Sequence, residues 1–77
     1  MKNLGELKKG QSGKLLSVQG DSEELTLRLM EMGLLEGSDF EVMHEAPYSG
    51  DPIAVRVRGA LIALRRAEAS KILIQLN

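Results

Sequence analysis

Residues 53–64 of this 77-residue chain read Ile-Ala-Val-Arg-Val-Arg-Gly-Ala-Leu-Ile-Ala-Leu, and they restrict the fold more than any other segment. Successive side chains of a strand point to opposite faces, so Ile53, Val55 and Val57 share one side and Arg56 and Arg58 the other. Gly59-Ala60 supplies a turn, after which Ile62 and Leu64 resume the inward face. A hairpin with one apolar face needs further strands to cover it. Three other segments offer them. Residues 13–19 form a first strand after the turn at Gly10–Gly13. Residues 38–45 alternate, with Phe40, Val42 and His44 on the inward side and Glu41 and Met43 on the outward one. Residues 72–76 make a short closing strand, β-branched at Ile72 and Ile74.

One stretch has helical periodicity instead. Over residues 22–32, Leu25, Leu29 and Met32 fall on a single stripe at 100° per residue, which predicts a core-facing side. Asp21 is the expected N-cap, with Glu24 completing a capping-box pair, and Gly33 is placed to end the helix in a left-handed conformation. Leu27 and Met30 lie on the opposite side. The N-terminal segment, through Leu4 and Leu7, is expected to cover them; left bare, they form an adaptable docking patch. A short helical turn at 66–71 precedes the last strand. Leu7-Lys8-Lys9-Gly10 and Leu34-Leu35-Glu36-Gly37 both read Leu-x-x-Gly before a strand, two similar turns more than a true repeat. The fold class is mainly β: a small SH3-like barrel with one main inserted helix and a short helical turn before the last strand. A Greek-key barrel of the OB type is the competing topology.

Length makes residues 1–77 one small domain. With 43% hydrophobic and 27% charged residues, the composition is that of a globular chain. No apolar run approaches the ~20 residues of a membrane-spanning helix. The start, MKNLGELKKG, has no apolar segment of the secretory kind, so a cytoplasmic location is expected. A net charge of −1 argues against a chain held to nucleic acid by bulk electrostatics. Phe40 and Tyr48 are the only aromatic residues, too few for a base-stacking platform.

The residues offer little catalytic equipment. Gly5 to Ser12 comes close to a phosphate-binding loop, but Gln11 stands where the lysine is required. Cysteine is absent, which excludes disulfides and thiolate metal sites. His44 is the single histidine, and one imidazole with carboxylates makes no selective site within one chain. It reads as a partly buried structural residue; weak metal binding between chains is the alternative use. Glu23, Glu24, Glu41 and Glu45 read as solvated surface, and no nucleophile has a base beside it. Enzymatic activity is not expected. Arg56, Arg58, Arg65 and Arg66 cluster on the hairpin and its return arm. Such a cluster suits phosphates or an acidic protein partner, or is a charged face that protects an edge hairpin.

Taken in order, Leu4-x-x-Leu7-x-x-Gly10, Arg28-Leu29-x-x-Met32-Gly33-Leu34-x-x-Gly37, Gly50-Asp51-Pro52-Ile53 and Ile62-Ala63-Leu64-Arg65-x-x-Glu68-Ala69 resemble the ferrous-iron transport protein A family (FeoA). The likeness runs from about Leu4 to Leu76. It implies an SH3-like barrel with helical insertions and a cytoplasmic accessory role, binding and modulating ferrous-iron transport protein B, the membrane permease that carries a GTPase domain. It implies no cofactor and no catalytic positions. The same barrel occurs at the C-terminal end of iron-dependent repressors, whose DNA-binding and dimerisation parts are not seen here, so a repressor role is disfavoured. The expected partner-binding residues are Leu27 and Met30 on the helix, with Arg56, Arg58 and Tyr48 as a second surface. Tyr48, in the Pro47–Pro52 loop, has the character of an aromatic anchor. Leu61 stands where a polar residue is expected and is a further exposed anchor or packs on the next turn. The alternatives are a nucleic-acid-binding barrel using the arginine hairpin, and an iron-sensing module assembled through His44 in a weak homo-oligomer.

Overall fold

The computed structural model describes residues 2–77. Six strands form a single antiparallel sheet: β1 (Lys2–Asn3), β2 (Ser12–Val18), β3 (Asp39–Glu45), β4 (Ile53–Val57), β5 (Ala60–Leu64) and β6 (Ile72–Leu76). Their spatial order is β1-β6-β2-β3-β4-β5. Helix α1 (Glu23–Glu31) is inserted between β2 and β3, and the short α2 (Arg66–Ala69) between β5 and β6. The result is a small SH3-like barrel, as the strand pattern predicts. The sixth strand, β1, is the one that alternation did not reveal, being only two residues long. No helix among the described residues is long and apolar enough to cross a membrane.

The inward residues of the strands converge as one core. Leu15, Phe40, Val42, Ile53, Val55, Val57, Leu64, Ile72 and Ile74 are all buried. Leu4, the first residue of a 3-10 turn (Leu4–Glu6), and Leu7, just after it, are buried with them. At roughly 1.5–3 kcal/mol for each fully buried aliphatic side chain, this insertion stabilises the barrel far more than a surface contact with α1 could. The N-terminal segment therefore does not cover Leu27 and Met30, and that expectation is overturned.

The two Leu-x-x-Gly turns share one geometry. Leu7 and Leu34 are buried, and Gly10 and Gly37 both have positive φ. Each glycine N–H donates to a strand carbonyl at 2.8 Å, Gly10 to Val42 and Gly37 to Leu15.

Three local expectations need correction. First, Ser22 is the N-cap of α1: its backbone is extended and its Oγ accepts from the Leu25 N–H at 3.1 Å. Asp21 instead pairs with Lys71 at 2.8 Å. Second, Met32 is exposed, although Leu29 is fully buried and Leu25 partly so. The helix ends at Glu31, Gly33 turns the chain at φ 105°, and Leu34 takes the buried position that the stripe assigned to Met32.

Third, β3 slips by one residue between Val42 and His44. Val42 faces Val55 and His44 faces Ala54, so two steps on β3 match one on β4. Such a bulge reverses which side chains point inward beyond it. His44 consequently lies exposed on the outer face, and Glu45, opposite Ile53, takes the inward-leaning position. The reading of His44 as a partly buried structural residue is thus overturned by the bulge.

Candidate partner-binding surfaces

Four of the six expected site residues lie on or beside the sheet, and two on α1. On α1, Leu27 is 52% exposed and Met30 39%. They share the outward side with Glu23, Glu24 and Glu31, all exposed. The helix thus presents an apolar strip rimmed by carboxylates. Its position is fixed from beneath by Leu25 and Leu29 and from the side by Arg28, whose Nη2 donates to Glu68 Oε2 of α2 at 2.8 Å. The Gly20 N–H donates to Thr26 Oγ1 at 2.8 Å and binds the loop before the helix to its first turn.

The second surface does not assemble as expected. Tyr48 is fully exposed at φ 71° in the loop joining β3 to β4. Backbone bonds from Gly50 N–H to the Ala46 carbonyl, and from Ala46 N–H to the Pro52 carbonyl, hold that loop closed. Arg58 stands at the other end of β4, about 17 Å away along the strand. It is not a strand residue: Arg58 (φ 53°) and Gly59 (φ 84°) form a two-residue hairpin turn between the paired Val57 and Ala60. Positive φ at both central positions is what the twist of a tight hairpin demands. The turn is therefore Arg58-Gly59 in place of Gly59-Ala60, and Arg58 projects from the tip.

Arg56 stays on the outer face of β4 and donates to Glu41 Oε1 on β3 at 2.7 Å. Leu61, directly opposite it on β5, is 61% exposed. A shallow depression beside the turn is lined by Asp39, Glu41, Arg56 and Arg58, a mixture of charges unsuited to a single anion.

The group that pattern-reading missed is around Arg66. Its Nε donates to the Gly50 carbonyl at 2.9 Å, and Nη1 to the carbonyls of Gly5 and Leu7 at 3.0 and 2.7 Å. Nη2 reaches Glu45 Oε1 at 2.7 Å, and the Arg66 N–H donates to Asp51 Oδ1 at 2.9 Å. One guanidinium thus ties the N-terminal turn, the β3–β4 loop and the end of β3 to α2. The bulge in β3 matters here, because it is what brings the Glu45 carboxylate round to meet it. The second Glu45 oxygen accepts from the Lys9 N–H at 3.0 Å. Glu45 is accordingly a structural anion, not the solvated surface group that its sequence context predicts, and Glu41 is engaged with Arg56. Gly5 explains itself in the same place: a Cβ there would sit 2.5 Å from the Arg66 carbonyl oxygen. Three of the guanidinium's acceptors are backbone carbonyls, which no spacing of side chains announces.

The arginine cluster therefore breaks up. Arg66 is consumed internally and Arg56 is ion-paired, which leaves Arg58 and Arg65 exposed with no ion pair among the described residues. The described residues contain no group of three or more His, Cys, Asp or Glu side chains that could hold a metal ion.

Comparison with known proteins agrees with this architecture. The family model of the FeoA domain matches residues 2–76. The solution structure of the FeoA protein from Chlorobium tepidum superposes with a TM-score of 0.85 at 37% identity, covering 97% of this chain and 70% of that one. FeoA of Stenotrophomonas maltophilia, solved as a zinc complex and described as an SH3 domain protein, gives a TM-score of 0.83 at 28% identity, over 97% of this chain and 91% of that one. A manganese-dependent transcriptional repressor bound to manganese gives 0.86 at 18% identity, over 99% of this chain and 36% of that one, a likeness of fold alone. No curated protein sequence matches the chain. From the match over residues 2–76 and the shared barrel, the chain belongs to the FeoA domain family.

Proposed function

We propose that this chain is a cytoplasmic accessory protein of ferrous-iron uptake that docks on the membrane permease bearing a GTPase domain, ferrous-iron transport protein B, and modulates it without chemistry of its own. Membership of the FeoA family supports the transport role. The S. maltophilia relative is described as a candidate ferrous iron transport activating factor. The observation that carries the docking mode is the uncovered strip of Leu27 and Met30 on α1. Nothing in the core requires these two side chains, and a leucine and a methionine side by side on a helix suit an adaptable protein contact. The carboxylates around the strip fit an apolar surface edged with lysine or arginine, and they repel an anionic lipid surface.

Chemical cross-linking of the purified protein to the cytoplasmic domains of the permease, with and without GTP, tests the reading. A specific adduct mapping to α1 supports it. Absence of any adduct in every nucleotide state contradicts it.

A second reading rests on the exposure of His44. An imidazole on the outer face is free to share a metal ion with another chain, and the S. maltophilia relative was solved with zinc. In this reading, replacing His44 by Ala abolishes metal-dependent association and leaves docking on the permease intact.

A further inference from the structure

We propose that the free edge of β5 accepts an extended segment of another protein by strand addition, and that this segment carries acidic residues at both ends. The inference is independent of what docks on α1.

The sheet has two edges and only one of them is blunted. At one end β1 is two residues long and includes Lys2, a short and charged strand of the kind that discourages pairing. At the other end β5 runs over five residues, Ala60-Leu61-Ile62-Ala63-Leu64, with no charge and no proline. Its register with β4 is unbroken by any bulge. The two-residue turn makes Val57–Ala60 a hydrogen-bonded pair, so Ile62 and Leu64 also direct their backbone groups to β4. The N–H and C=O groups of Leu61 and Ala63 then point away from the sheet. Neither residue makes a backbone bond elsewhere among the described residues, and both are exposed. Four backbone groups thus stand in a row, flanked by the exposed side chains of Leu61 and Ala63, which is the template that strand addition uses.

Charge selects the occupant. Arg58 lies just before β5 and Arg65 just after it, and neither is ion-paired among the described residues. They bracket the edge, Arg58 in the turn at one end and Arg65 at the other of a strand about 13 Å long. A second copy of this chain, paired antiparallel about Ile62, would bring the unpaired Arg58 of each copy near the unpaired Arg65 of the other. Like charges facing one another across strands are destabilising. An apolar strand with an aspartate or glutamate near each end meets the same edge with opposite charges at both ends.

The test uses the intact protein and a short peptide of alternating valine and threonine flanked by aspartates at both ends, with its lysine-flanked counterpart as the control. The acidic peptide is expected to shift the amide resonances of Leu61 and Ala63 and protect them from hydrogen exchange, while the lysine-flanked peptide leaves them unchanged. Ala63→Pro removes an outward N–H on an edge strand, where proline is tolerated, and is expected to abolish binding. The double variant Arg58→Glu, Arg65→Glu leaves the edge intact and is expected to weaken binding by about tenfold or more. Equal binding of the two peptides overturns the proposal, as does unchanged binding by the charge-reversed variant. Protection of the Leu61 and Ala63 amides that rises with protein concentration in the absence of peptide also overturns it, because the occupant is then a second copy.

Discussion

Replacing Arg66 by methionine keeps the aliphatic stem and removes the guanidinium. Four hydrogen bonds are lost with it, to the carbonyls of Gly5, Leu7 and Gly50 and to the Glu45 carboxylate. The Arg66 and Glu45 side chains are 25% and 28% exposed, so water re-solvates the abandoned groups only in part. A hydrogen bond to a charged group contributes about 1.5–3 kcal/mol, and bonds sharing one donor group do not add. Discounting for the exposed quarter, we expect a net loss of about 3 kcal/mol. For a domain of this size, whose total stability is on the order of 4–12 kcal/mol, that is a large fraction. It corresponds to a fall in Tm of roughly 12–24 °C. Arg56→Met is the matched control: its partner Glu41 is on the surface, the arginine side chain is 53% exposed, and about 0–1 kcal/mol is at stake. Thermal unfolding followed by far-ultraviolet circular dichroism distinguishes them, the chain having no tryptophan to report by fluorescence. If both variants melt within a few degrees of the parent, the assignment of Arg66 as the tie between the four segments is wrong.

Three further outcomes follow from the packing. Leu29→Ala leaves a cavity under α1 and is expected to cost about 2–5 kcal/mol in a denaturant titration, whereas Leu27→Ala changes stability by less than about 0.5 kcal/mol. Ser22→Ala removes the cap of α1 and costs about 1 kcal/mol, while Asp21→Ala, losing only a surface pair with Lys71, stays near zero. His44→Ala is neutral in the same titration because the imidazole lies outside the core.

The barrel was legible because β4 and β5 keep an unbroken period of two. Val55 and Ile62 alternate with outward neighbours, and that pattern assigns faces without any knowledge of the neighbours. The helix was legible for the same reason up to its last turn. There Gly33 redirects the chain and gives Met32's place to Leu34, a competition between two apolar residues that a helical stripe does not resolve. The bulge at Val42–His44 was hidden, since a one-residue slip depends on the partner strand and leaves no mark in β3 itself. From that slip came the misplacement of His44 and the unsuspected role of Glu45.

The candidate surfaces were partly legible. Leu27, Met30, Tyr48 and Leu61 announce themselves as apolar or aromatic groups that the core does not claim, and all are exposed. The arginines were harder, because four residues of one type do not share one fate. Arg66 bonds mostly to main-chain carbonyls, Arg56 to a cross-strand carboxylate, and Arg58 sits at a turn whose positive φ ordinarily selects asparagine or glycine.

The most direct test of the account is the affinity of the intact protein for the permease's purified GTPase domain, measured by calorimetric titration for the parent and for the double variant Leu27→Asp, Met30→Asp. The account predicts that the variant keeps its melting temperature and binds at least tenfold more weakly. Equal affinity of parent and variant would contradict it.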